Sequence, residues 1–503
     1  MSDDFLRQVL RAPVYDVAEQ TPLDEATRLS ERLHNRVMIK REDLQPVFSF
    51  KLRGAYHRMA RLTPDERARG VVAASAGNHA QGVALAATRL GIHARIVMPT
   101  TTPAIKVEAV RRLGGQAILH GDTFDPAADH AMQLVRAEGP VFIPPFDDPD
   151  VIVGQATVAM EVLRQHRGQL DAVFVPVGGG GLLAGVAGYV RRVAPEVKVI
   201  GVEPEDAACL KAALAAQAPV ALKSVGIFAD GVAVRQIGAE PWRVLEGRVD
   251  GLLTVTTDEI CAAIKDIFDD TRSIAEPAGA LALAGLKRHV ETTGIRGHTL
   301  VAIDSGANMN FDRLRHVAER ADLGERTEAL FGVTIPERPG AFADFIEVLG
   351  SIAVTEFNYR YGDDDEAHIF VGVGLDDGDN TRERMRERIE AADLPVVDMT
   401  DNEIAKLHVR FMVGGRADAG SERIIRFEFP ERPGALSRFL SAVAGRWNIS
   451  LFHYRNHGAA YGRVLSGMQV PDEELPTFKR FLSELGYAYS DESDNPAYRL
   501  FLR

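Results

Sequence analysis

Ser49-Phe50-Lys51-Leu52-Arg53-Gly54-Ala55 is the stretch from which the rest of the chain is read. Lys51 is its one amine, and Phe50 and Leu52 on either side predict an apolar pocket for it. Burial lowers a lysine pKa, and a neutral amine attacks carbonyl carbon to form a Schiff base. Taken alone, the stretch reads better as a helix-start lysine whose stem reaches out to solvent. Three later stretches reverse that balance: Ser75-Ala76-Gly77-Asn78-His79, Gly178-Gly179-Gly180-Gly181 and Ser305-Gly306-Ala307-Asn308.

Outward from Lys51, short apolar runs alternate with helical patterns. A helix is expected from 50 to about 62. Upstream, residues 5–35 read as helical, interrupted at Thr21-Pro22-Leu23, before a strand at 37–40. Downstream, strands at 70–74, 94–99, 116–119 and 141–143 are separated by helices at 80–90, 103–113 and 125–138. A second α/β unit follows. Its helices are expected at 153–165 and 182–193, with strands at 172–177, 197–202, 251–255 and 299–303. Thr257-Asp258-Glu259 is read as the cap of a helix reaching about 270. This alternation predicts parallel sheets covered on both faces, in two lobes with a ligand cleft beyond the carboxyl ends of the strands.

After Leu330 the pattern changes. Ile335-Pro336-Glu337-Arg338-Pro339-Gly340-Ala341 returns as Phe429-Pro430-Glu431-Arg432-Pro433-Gly434-Ala435, and Phe357-Asn358-Tyr359-Arg360 is echoed by Phe452-His453-Tyr454-Arg455. This internal repeat reads as two β-α-β-β-α-β modules. The expected division is 1–320 for the α/β part, a charged connector at 321–330, and modules at 331–410 and 423–503.

The 503 residues suffice for several cores, and the net charge of −13 argues against nucleic acid and against an anionic membrane surface. Cys209 and Cys261 form no disulfide framework and have no metal spacing, which fits a reducing, cytoplasmic setting. The uncharged run 172–190 contains Pro176 and four glycines, so it reads as strand, loop and helix rather than a membrane span.

The motifs suit pyridoxal phosphate. Gly178, Gly179, Gly180 and Gly181 join a strand to a helix, where backbone N–H groups cradle a phosphate. Asn78 offers an amide donor to a phenolate oxygen. Ser75, Gly77 and His79 offer donors for a substrate carboxylate, although His79 reads equally well as a satisfied polar side chain at a helix start. Ser305 follows a strand end, and a hydroxyl there would leave a pyridine nitrogen largely unprotonated, a shallow electron sink suited to elimination. Glu276 either faces the cofactor or caps the next helix, and both readings stand.

Together these residues resemble the β-family (fold type II) of pyridoxal-phosphate enzymes, within it the biosynthetic threonine deaminases, also called threonine dehydratases. The resemblance covers essentially the whole chain. It implies a two-lobed α/β catalytic domain followed by two ferredoxin-like (ACT-like) regulatory domains. It implies that Lys51 binds the cofactor covalently and takes the substrate's Cα proton. Gly178, Gly179, Gly180, Gly181 and Leu182 would hold the phosphate, Asn78 would meet the ring oxygen and Ser305 the ring nitrogen. L-threonine would give 2-oxobutanoate and ammonia, and L-serine pyruvate. Isoleucine would inhibit, valine would oppose it, and the assembly would be a homotetramer. Relatives among the serine racemases bind a divalent cation through a Glu, a backbone carbonyl and an Asp. Glu203 and Ala207 match, but Cys209 replaces the Asp, so no metal is expected there. The rival readings are a serine-preferring dehydratase and a catalytically silent amino-acid sensor.

Overall fold

The structure is a computed structural model that describes residues 4–502 apart from 351, 363–364, 377–380, 413, 416, 431–434, 444–445 and 456–460. It divides into two compact units, Met1–Gly324 and Glu325–Arg503.

The first unit contains two sheets. The four-stranded sheet is parallel throughout, in the order Gln116–Leu119, Ala94–Met98, Val71–Ala74, Val141–Phe142. All four residues of Val71–Ala74 are buried, which explains why this strand is a continuous apolar run without alternation. The six-stranded sheet runs Leu23–Glu25, Arg36–Arg41, Thr299–Asp304, Ala172–Pro176, Lys198–Pro204, Gly251–Val255. Its register sets Val301 between Met38 and Val173, and every pair is parallel except the first.

The early segment differs from expectation. It breaks into helix Asp4–Leu10, a tight turn Pro13–Asp16, strand Leu23–Glu25 and helix Thr27–Leu33. The strand is three residues long and follows Pro22, so it leaves no period-two signal. The cap of helix Thr257–Thr271 is Thr256, one residue earlier than expected, in a reciprocal box with Glu259. The run 172–190 is the strand Ala172–Pro176, a glycine turn and most of helix Gly181–Val193. Among the described residues no helix is long and apolar enough to cross a membrane.

Helix Pro149–Gln165 is the hinge of the packing between the elements that bear the site. A Cβ on Gly154 would lie 2.6 Å from the Arg53 carbonyl oxygen, and one on Gly185 would lie 2.8 Å from the Ala156 nitrogen. Glycine therefore brings this helix into backbone contact with helices Lys51–Ala60 and Gly181–Val193 on its two flanks.

The second unit is two β-α-β-β-α-β modules, as the repeat predicts. The first comprises Glu328–Pro336, Ala341–Leu349, Val354–Arg360, Glu366–Gly374, Arg382–Glu390 and Val396–Asp398. The second comprises Glu422–Pro430, Ala435–Val443, Asn448–Arg455, Tyr461–Gln469, Leu475–Leu485 and Ala488–Asp491. Strands Val354–Arg360 and Asn448–Arg455 pair antiparallel and fuse the two into one eight-stranded sheet. Phe357 and Phe452 are fully buried at this joint, with rings 5.4 Å apart edge to face. They are core, so the repeated Phe-x-Tyr-Arg motif is legible first as packing. Of the second Pro-Glu-Arg-Pro-Gly-Ala loop, residues 431–434 lie outside the described residues.

Candidate active site

Lys51 opens helix Lys51–Ala60, half-buried, with Nζ 3.5 Å from the Pro145 carbonyl oxygen and 5.2 Å from the centroid of the Phe50 ring. Burial pulls its pKa down to about 8, against an opposing pull from the Glu276 carboxylate. The residue after Pro145, Phe146, lies against the glycine run: a Cβ on Gly179 would fall 2.3 Å from its ring, and one on Gly181 3.0 Å from its Cβ. The lysine and the glycine run are thus brought to one place by the Pro145-Phe146 turn.

Asn78 begins helix Asn78–Leu90. Its amide donates to Glu276 Oε1 at 2.5 Å, and its Oδ1 accepts from Asn308 Nδ2 at 2.8 Å. The second amide hydrogen remains for a ring oxygen. Glu276 is buried and precedes helix Pro277–Thr293 without bonding its backbone, so it faces the site instead of capping. Burial, with Asp230 second, pushes its pKa up to about 7. Ser305 is buried, and its hydroxyl is 3.2 Å from the Ala278 carbonyl oxygen. Its own carbonyl accepts from the Phe50 N–H at 3.3 Å, tying the Ser305 turn to the lysine.

The glycine run lies beyond the carboxyl end of strand Ala172–Pro176 and opens helix Gly181–Val193. Gly180 is left-handed at φ 89°, and a Cβ there would meet Ile237 at 2.4 Å. Leu182 is buried in the core beneath, so what it offers a phosphate is backbone. Ser75 Oγ accepts from the Gly77 N–H at 3.2 Å, and space above Gly77 is open. His79 Nε2 is 2.8 Å from the Ile143 carbonyl oxygen, and burial drops its pKa to about 4.

Glu203 is buried and accepts from the backbone N–H groups of Leu210 at 2.7 Å and Lys211 at 2.9 Å. Burial raises its pKa to about 7. Cys209 Sγ donates to the Gly178 carbonyl oxygen at 3.3 Å. Among the described residues no group of three or more His, Cys, Asp or Glu side chains is arranged to hold a metal ion.

Several participants escaped sequence reading. Arg53, two residues after Lys51, is fully buried and bidentate to Glu42 at 2.7 and 2.8 Å, with Glu161 at 2.6 Å. Lys40 Nζ joins Glu161 at 2.6 Å. The segment Asp230–Val232 lies over the site: a Cβ on Gly231 would be 3.3 Å from Glu276 Oε1, and a Cβ on Gly178 would be 2.9 Å from Val232 Cα. Nothing in the run Ala229-Asp230-Gly231-Val232 signals this by itself.

A half-buried lysine of lowered pKa, a glycine-built helix start without an acidic residue in its first turn, and an amide with a spare donor fit pyridoxal phosphate. The comparisons agree. A family model described as pyridoxal-phosphate dependent enzyme matches residues 14–306, and one described as the C-terminal regulatory domain of threonine dehydratase matches 319–409 and 413–502. The chain is 55% identical to the biosynthetic L-threonine dehydratase of Burkholderia multivorans over 514 residues, covering 100% of this chain and 99% of that protein. It is 55% identical to the Escherichia coli protein of the same description, covering 99% of this chain and 97% of that one. The solved processed form of threonine deaminase isoform 2 from Solanum lycopersicum is 51% identical, with a TM-score of 0.63 over 64% of this chain and 94% of that chain. A serine racemase from Dictyostelium discoideum is 29% identical, with a TM-score of 0.56 over 61% of this chain and 98% of that chain. Site geometry, both family models and full-length identity converge: this chain belongs to the biosynthetic threonine dehydratases, pyridoxal-phosphate-dependent lyases with a C-terminal regulatory region.

Proposed function

We propose that this chain converts L-threonine to 2-oxobutanoate and ammonia, with Lys51 as the group that holds pyridoxal phosphate and removes the Cα proton. The observation that carries this reading is Lys51 itself: half-buried, drawn down to about 8, and within electrostatic reach of the Glu276–Asn78 pair. The cofactor supplies the electron sink that makes Cα–H acidic and lets the Cβ hydroxyl depart as water. Lys51 Nζ, freed as an amine, would accept the Cα proton. Gly178, Gly179, Gly180, Gly181 and Leu182 would hold the phosphate by backbone N–H groups, Asn78 would orient the ring oxygen, and Ser305 would meet the ring nitrogen without protonating it. Ser75, Gly77 and Asn78 receive the substrate carboxylate, with His79 contributing backbone only. The water lost from Cβ returns when the released enamine hydrolyses to the oxo acid. L-serine reacts by the same route to pyruvate.

The second unit is read as the receiver of isoleucine, which inhibits, and of valine, which opposes it. The match of residues 319–409 and 413–502 to the C-terminal regulatory domain of threonine dehydratase supports this. A cytoplasmic homotetramer completes the reading. Both cysteines are free and buried, as a reducing setting allows. The test is 2-oxobutanoate release from L-threonine with and without L-isoleucine, with L-serine as competitor. Release suppressed by isoleucine supports the whole reading. Higher kcat/KM for serine would make the chain a serine dehydratase. No turnover by protein that binds cofactor would point to the sensor.

A further inference from the structure

The segment Asp230–Val232 touches three parts of the site at once. Its Val232 packs on Gly178, and its Gly231 sits over Glu276 and 3.9 Å from Asn78 Nδ2 by the same Cβ construction. Its Asp230 reaches across the cleft. Asp230 Oδ2 accepts from Lys106 Nζ at 3.0 Å, and Lys106 belongs to helix Ala104–Arg112 of the lobe built on the four-stranded sheet. Asp230 itself lies between strands Lys198–Pro204 and Gly251–Val255 of the six-stranded sheet. On its own lobe the segment is tethered by Arg313. That guanidinium donates to the carbonyl oxygens of Phe228 and Ile227, both at 3.1 Å, and to Asp230 Oδ1 at 3.4 Å. The Lys106 side chain is 20% exposed and that of Asp230 41% exposed, so the pair sits at the mouth, wet enough to open and dry enough to matter. Arg235 and Asp125 make a second cross-lobe contact at 4.0 Å, more exposed and therefore weaker.

We infer that the Lys106–Asp230 ion pair is a cross-lobe latch that holds the Asp230–Val232 strap over Glu276, Asn78 and Gly178, so that both are positioning residues for substrate retention. This rests on Lys51 being the cofactor-bearing residue. An ion pair that joins two lobes favours the closed arrangement only by its differential strength between open and closed states. Breaking it raises the open fraction, which weakens threonine binding and admits small solutes.

The experiment uses the full-length holoenzyme and the variants Lys106→Met, Asp230→Asn and the double variant Lys106→Met/Asp230→Asn, which leaves no unpaired cation beside Arg313. Two readouts are taken: KM against kcat for L-threonine, and the rate at which hydroxylamine strips the cofactor, followed by visible absorbance. The latch predicts that each single variant raises KM and the stripping rate by about fivefold, the scale of a half-exposed ion pair. It also predicts that kcat of Lys106→Met stays within about twofold, and that the double variant is no worse in KM or stripping than the worse single variant. Raised salt should move the wild type towards the variants and leave the variants unmoved. Unchanged stripping, or effects that add in the double variant, would overturn the latch. Thermal unfolding of each variant separates a folding defect, which lowers melting temperature and kcat together, from the KM and access effects that the latch requires. Failure of Lys51→Ala to abolish the visible absorbance would instead overturn the underlying assignment of the lysine.

Discussion

Lys51 and Glu276 are a half-buried base and a buried acid pushed towards each other's range, the amine down to about 8 and the carboxyl up to about 7. Pairs of this kind divide acid and base roles near neutral pH. Capture of pyridoxal phosphate by the cofactor-free protein needs the neutral amine, so its rate should rise with pH around a midpoint near 8. The Glu276 carboxylate favours the ammonium form. Glu276→Gln, which keeps an acceptor for Asn78, should therefore shift the capture midpoint down; a midpoint that stays put would show that the two charges do not communicate. His57 is a different kind of buried base. Neither of its ring nitrogens has a hydrogen-bond partner among the described residues, and burial lowers its pKa from 6.5 to about 4. Below 6.5 the unfolded chain binds a proton that the folded chain refuses, so the stability tied to this ring is lost as pH falls from 6.5 towards 4. The loss reaches roughly 3 kcal/mol at the acid end. His57→Leu should melt higher relative to wild type at pH ~5 than at pH ~7; an equal difference at both would refute the assignment.

At the scale of elements, helix Lys51–Ala60 is held by its own Arg53 to the Glu42 turn and to Glu161 on helix Pro149–Gln165. With Lys40 this makes two cations and two anions, all buried and mutually compensated. Removing one member strands a charge, at a cost of about 3–5 kcal/mol. Arg53→Met should accordingly lower the melting temperature and the cofactor occupancy. Arg53→Met/Glu42→Gln should recover part of the loss, since the stranded carboxylate goes too. A single variant as stable as wild type would contradict this account. The network also shows where sequence reading stops. The strands and helices around Lys51 are legible because each buries a continuous apolar run or a helical stripe. Glycine at 178–181 is legible because such a run between strand and helix has few other uses. Arg53 is not, because a charged residue in an amphipathic helix looks the same whether it meets solvent or a partner 108 positions away. The orientation of Glu276 was undecidable for a related reason: the position before a helix proline suits both a cap and an inward carboxylate, and only the third dimension supplies Asn78. The segment 204–250 holds helices Cys209–Ala216 and Ala239–Leu245, which the sequence patterns above do not assign, and it contains the Asp230 strap.

At the scale of the whole molecule, each unit builds its own core. The aromatic cluster of Phe331, Phe357, Phe439 and Phe452 lies entirely in the second unit, and the α/β cores of the first close without it. Two independent cores mean that either unit has the burial needed to fold alone. In the second unit the modules are joined by strand pairing and by the buried Arg360–Glu422 ion pair, so they form one body. An effector acts only by binding two states unequally. On the proposed function, removing the second unit removes the response to isoleucine while leaving Lys51, Asn78, the glycine run and Ser305 in place. Truncation after Gly324 should yield a chain that binds pyridoxal phosphate, releases 2-oxobutanoate from L-threonine, and ignores L-isoleucine at concentrations that silence the full chain. A truncated enzyme still inhibited by isoleucine would move the effector site into the first unit. A truncated chain that folds and binds the cofactor but does not turn over would show that the second unit, in addition to any sensing role, completes the catalytic arrangement.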